Sequence, residues 1–203
     1  MDKNPFEAFP EEPDTSPADF AQHMVQVWAE AVIRQAGRAQ AIRKKDAIDD
    51  RNFERNEEWS PDEEQLAANY RLMWAEEHML VWSAYQLEQW RGRLAKERGQ
   101  VPPPENRELK LVRDALEHLS EARLDDLAAT SPSEKGPQGR ALRQFPNQSL
   151  GLYLGGTKLF ELLDPHRVHE EALKVVKSIE TELLDRARDA YEAMMHDEWV
   201  KDR

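Results

Sequence analysis

Apolar residues recur at steps of three and four along four stretches of the chain, the spacing that keeps one face of a helix turned to a core. The first stretch opens with Ser16-Pro17-Ala18-Asp19, a hydroxyl for the N-cap, a proline at the first helical position and an acid at the third. Phe20, Met24, Val27, Trp28, Ala31, Ala39 and Ile42 then carry a helix to about residue 48, and the polar stretch 49–59 connects it to the next. Ser60-Pro61-Asp62-Glu63 repeats the start signal, with Ser60 as the expected cap. Leu66, Tyr70, Met73, Leu80, Ala84, Leu87 and Leu94 follow on one stripe. Trp74, Val81, Trp82 and Tyr85 widen it, as in a helix central to a bundle. Gly99 and Pro102-Pro103-Pro104 stop this helix.

A third helix is predicted from Glu105 to Ala129, with Leu109, Val112, Leu116, Leu119 and Leu127 on its stripe. Residues 131–148 read as a loop. Leu150 to Leu162 reads as a hairpin turning at Gly155-Gly156, because paired glycines suit a two-residue primed turn. Asp164-Pro165 opens the last helix, whose stripe includes Val168, Ala172, Val176, Ile179, Leu183 and Met194. The expected fold is all-α: an antiparallel bundle of four main helices with one small β-hairpin before the last helix. Residues 1–16, rich in proline and acid, are expected to form a flexible tail, and residues 17–203 a single helical domain.

Composition narrows the function. Cys 0 removes disulfide scaffolds, thiolate zinc sites, iron–sulfur clusters and cysteine nucleophiles together. No apolar run approaches the roughly 18 residues of a membrane span, and the N-terminus lacks the basic-then-apolar order of a signal peptide. A soluble cytoplasmic protein is expected. The net charge of −12 argues against nucleic acid as a partner, but it is unevenly spread. Residues 34–45 carry Arg34, Arg38, Arg43, Lys44 and Lys45 with no acid, and Arg91, Arg93, Lys96 and Arg98 stand against Glu97 alone.

Several motifs fail on inspection. Gly151, Gly156, Thr157 and Lys158 imitate a phosphate-binding loop, but that loop needs Lys before the hydroxyl residue, and here the order is reversed. No His has a Glu three residues before it, as carboxylate-bridged di-iron bundles require. His166 and His169 share a face at the start of the last helix, where solvated first-turn residues are the expectation. No metal and no cofactor is expected.

Leu111-Val112-Arg113-Asp114-Ala115-Leu116-Glu117-His118-Leu119 is different. An Arg, a polar residue, three more residues and a His on the third helix of a short bundle resemble the HEPN superfamily of small helical proteins. The longer string from Leu111 to Asp125 is similar to that of uncharacterised bacterial members. The resemblance covers residues 17–198 in architecture and about 15 residues in motif, and Asp114 stands where Asn is commoner. It implies a bacterial or phage homodimer that acts on RNA, as a metal-independent endoribonuclease of a defence or toxin–antitoxin system. Arg113 and His118 would be its site, oriented by Asp114 and Glu117. RNA and a protein partner or antitoxin are the implied ligands. A non-enzymatic helical interaction module is the alternative, and an acidic nucleic-acid mimic a further one.

The chemistry suits those residues. Cleavage of RNA needs a base for the 2′-hydroxyl proton and a cation for the developing phosphorane charge, roles that His and Arg fill without metal. At about 100° per residue, Arg113 lies at the margin of the stripe of Leu109, Val112 and Leu116. His118 lies on the opposite face with Leu111, Ala115 and Ala122. That second face would be covered by the rest of the chain in a monomer, or form the seam of a dimer. Glu77 interrupts the stripe of the second helix and comes level with about residue 126, which makes Arg123 its expected partner.

Overall fold

Ser16 caps the first helix as expected, its hydroxyl accepting from the Asp19 N–H at 3.1 Å. In the computed structural model, which describes residues 16–125, 127–132 and 139–201, and side chains as far as 196, this helix, α1, spans Pro17–Phe53. The expected tail, apart from Ser16, lies outside the described residues. Helix α2 spans Glu63–Glu97 and starts two residues later than the sequence suggests. Its cap is Asp62, which accepts from the Gln65 N–H at 2.8 Å while the Gln65 side chain accepts from the Asp62 N–H at 3.1 Å. The expected capping box of Ser60 and Glu63 is thus formed two residues later, by Asp62 and Gln65, and satisfies two donors. Ser60 instead donates to the Asn52 carbonyl at 2.7 Å and ties the connector to the end of α1.

Helices α1 and α2 form the main packed pair, and helix α4, Pro165–Lys201, lies along α1. In the core, Val25, Val32, Met73, Leu80, Val81 and Val112 are almost wholly buried. Each such side chain contributes about 1.5–3 kcal/mol by leaving water. The four helices with a small antiparallel sheet before the last bear out the expected fold class.

The sheet, however, is not where the hairpin was expected. Helix α3 covers only Arg107–Glu117, and the chain after it turns into β1, Arg123–Asp125, and β2, Ala128–Thr130. Strand β2 pairs antiparallel with β1 on one side and with β3, Ser149–Gly151, on the other. The register sets Ala129 opposite Leu150, and both are fully buried. A helix continued to Ala129 would forfeit that pair, so tertiary packing overrides the helical period of Leu119 and Leu127. Leu127 stands exposed at a positive φ of 60° in the β1–β2 turn. Residues 152–158 form no strand, and Leu159 meets Leu163 in an isolated bridge. Burial of Leu154, Leu159, Phe160 and Leu163 holds this segment on the helices.

Glu77 is fully buried and pairs with Arg43 of α1, whose Nε lies 2.5 Å from Oε1. The expected partner Arg123 lies on β1 and pairs with Asp125 at 3.3 Å. The shortening of α3 removes the antiparallel alignment on which that expectation depended.

Candidate functional site around helix α3

Helix α3 is set on α2 by its own N-cap. Asn106 accepts from the Leu109 N–H at 3.1 Å through its side chain and donates its own N–H to Glu88 of α2. The helix then buries Leu109, Val112, Ala115 and Leu116 in the core. It ends at His118, whose backbone takes φ −101° and ψ 15°, outside the helical range.

Arg113 faces α2. Its guanidinium sits 4.0 Å above the centre of the Tyr85 ring, within the range of a cation–π contact. It also pairs with Asp114 at 3.0 Å and with Glu117 one turn along. Only 18% of the side chain is exposed, and Nε is buried without a hydrogen-bond partner in the structure. Desolvation by itself would lower the Arg113 pKa. The hydrogen bond to Glu117 and the charges of Asp114 and Tyr85 outweigh it and hold the group above its ordinary value. The cation is therefore secured, neutralised and largely out of solvent.

Another histidine joins this face. His78 of α2 is half-buried, and desolvation pushes its pKa below the ordinary 6.5, although the Glu117 charge works in the other direction. Neither Tyr85 nor His78 stands out in the sequence as part of the motif. Their separation of seven residues on α2 was the available signal, since that spacing puts both on one face.

His118 faces the other way. Five residues from Arg113 on a helix is a rotation of about 140°. The imidazole is 56% exposed, and its Nδ1 lies 3.2 Å from Glu121 Oε1. With Asp114, Ala115 and Leu111 it lines a groove of about 640 Å³, whose far wall is the segment 139–144. Arg107, Lys110 and Arg140 supply cations to this groove, and Glu105 is its second acid beside Asp114. Lys110 is held by Glu105 at 2.8 Å, and that hydrogen bond raises its pKa. Arg107 and Arg140 have no ion-pair partner among the described residues.

Gly139 shapes the far wall. Its φ is +71°, and a Cβ there would come within 2.6 Å of the Ser131 hydroxyl. No other residue fits without moving the strand end.

The four motif residues thus divide between two faces. Arg113 and Glu117 belong to the closed contact with α2, His118 to the open groove, and Asp114 reaches both by pairing with Arg113 while lining the groove. Of the expected seam residues, Ala115 is only 1% exposed within the single chain, and Leu111 and Ala122 are half-buried against the core. Compared with family models, curated proteins and solved structures, the chain matches none, so the HEPN resemblance rests on its motif and on the order of its elements.

Proposed function

We propose that this chain is a cytoplasmic, HEPN-like RNA-binding protein whose α3 groove receives a single RNA strand. The observation that carries the reading is the convergence of Arg107, Lys110 and Arg140 beside His118 in the groove of about 640 Å³. Arginine and lysine meet phosphates by charge and hydrogen bonding, which gives affinity without base specificity. His118 is the group placed to take a 2′-hydroxyl proton. Arg113 does not line the groove, so it acts as a structural cation and not as the cation at the phosphate. Cleavage would need a further cation near His118, and the homodimer that the resemblance implies is one way to bring it.

The test is fluorescence anisotropy with a labelled single-stranded RNA. Binding that weakens at least tenfold between about 50 and 200 mM salt, as several phosphate contacts require, supports the reading. Absence of binding at low salt, or affinity indifferent to salt, defeats it. Electrophoresis of the same RNA after incubation shows whether binding leads to cleavage.

A second reading, a protein-interaction module, is favoured by α4. The helix is tied to the body by Arg98–Glu182 at 2.7 Å and Arg186–Asp19 at 3.7 Å. Every side chain from Leu183 to His196 is exposed, including Leu183, Leu184, Tyr191, Met194 and Met195. Apolar surface of this kind marks contact with another protein, an antitoxin or a second copy being the candidates. Sedimentation of the pure protein separates these two. No described helix is long and apolar enough to cross a membrane.

A further inference from the structure

A second cavity, of about 390 Å³, lies between α1, the segment 157–159 and the first turn of α4. Its origin is a run of small residues, Ala36, Gly37 and Ala39, which leaves α1 without bulk where α4 begins. A Cβ at Gly37 would meet nothing within 4 Å. Leu159 and Pro165 add further apolar surface. The polar lining is Gln40, Arg43, Thr157, His166 and His169. In a chain with 40 acids against 28 bases, no acid lines this cavity.

Arg43 organises the wall. Its charge is balanced by the buried Glu77, and its terminal nitrogens donate to the carbonyls of Gly156 at 2.5 Å and Lys158 at 3.3 Å. These two bonds flank Thr157 and fix it at the cavity. Asp164 is the acid nearest in sequence, but it caps α4, accepting from the His166 N–H at 2.9 Å and the Arg167 N–H at 3.4 Å. The free backbone donors of the helix are thereby used, and the side chains must supply any binding. Lys44, Lys158 and Arg167 are exposed next to lining residues and have no ion-pair partner among the described residues.

We infer that this cavity binds a small organic phosphate. Two imidazoles, a hydroxyl and an amide give more donors than the two oxygens of a carboxylate can use, and they suit the three terminal oxygens of a phosphomonoester. The apolar surface of α1 and Pro165 accepts the organic part, and the volume falls in the range of small-ligand sites. A metal ion is a poorer fit, because no three metal-ligating side chains converge among the described residues. The site is separate from the α3 groove and does not depend on the RNA reading.

Calorimetric titration with AMP, GMP, CMP and UMP, with the matched nucleosides and with inorganic phosphate, tests the inference. At least one monophosphate should bind, and its nucleoside should bind at least about tenfold more weakly. His166→Ala combined with His169→Ala should lower the affinity about tenfold or more while circular dichroism is unchanged. Arg107→Glu with Arg140→Glu in the α3 groove should leave it unaltered. No binding by any monophosphate overturns the inference. So does equal binding of nucleoside and monophosphate, loss of binding in the groove variant instead of the histidine variant, or zinc binding by the two histidines without phosphate binding.

Discussion

The two faces of α3 have opposite environments although they carry one motif. Towards α2, Arg113 lies over Tyr85, holds Asp114 and Glu117, and has little contact with water. Towards the 139–144 segment, His118 stands exposed among cations that are partly free. The first face resembles a structural ion-pair cluster and the second a binding surface. The difference shows why spacing alone does not make a catalytic pair: two residues five apart on a helix share a motif without sharing a side. It also separates what each residue should do when changed.

The largest effect is expected at the boundary between the faces. Ala115→Glu forces a carboxylate into a site that the chain leaves only 1% exposed, at a cost on the order of 3 kcal/mol or more. Urea unfolding should show a greatly lowered midpoint or no folded protein. A stable variant that merely shifts from dimer to monomer would instead identify this face as a seam.

Arg113→Ala comes next. It removes the stack on Tyr85 and two partly exposed ion pairs, a loss of about 1–2 kcal/mol by thermal or urea unfolding. Its far-ultraviolet spectrum should remain helical.

The closed face should also respond to pH. His78 is held below its ordinary pKa of 6.5 by burial, so the unfolded chain takes up a proton there before the folded chain does. The corresponding stability is complete above about pH 6.5 and is lost as pH falls below it. Glu88 works with the opposite sign: burial raises its carboxyl despite the Asn106 N–H, so its share of stability is lost as pH rises. The wild-type melting temperature minus that of His78→Gln should therefore shrink on going from about pH 7.5 to 5.5. A difference that stays constant would place His78 in an ordinary solvated site.

The smallest stability change is expected at His118. Its exposed ring has one partner, Glu121 at 3.2 Å, so His118→Ala should alter unfolding by less than about 0.5 kcal/mol. A loss as large as that of Arg113→Ala would remove the distinction between the faces.

The elements themselves were legible to unequal degrees. Ser16 and Pro17 announced α1, and the stripe from Leu66 to Leu94 announced α2, because local caps and a long period agree with the packing there. The region after His118 was not legible. It has no proline or glycine to end the helix, and the decisive partner of Ala129 is Leu150, 21 residues away. Local period cannot register a pairing at that distance. The same limit concealed the groove, because Arg140 and Gly139 come to α3 from a loop with no helical or strand pattern. Arg113 and His118 could be placed on different faces by counting residues, and Asp114 and Glu117 lie beside Arg113 on the same helix; that Tyr85 covers Arg113 required the packing of α2.

The central claim is that the open face of α3 binds RNA while the closed face supports it. Anisotropy with one labelled single-stranded RNA at low salt, measured on the wild type, Arg113→Ala and the paired Arg107→Glu and Arg140→Glu variant, tests it directly. The account predicts that reversing the two groove cations weakens binding at least about tenfold and flattens its salt dependence. Arg113→Ala should stay within about twofold of the wild type at a temperature where both are folded. The opposite result, binding lost with Arg113 and kept without the groove cations, would contradict the account.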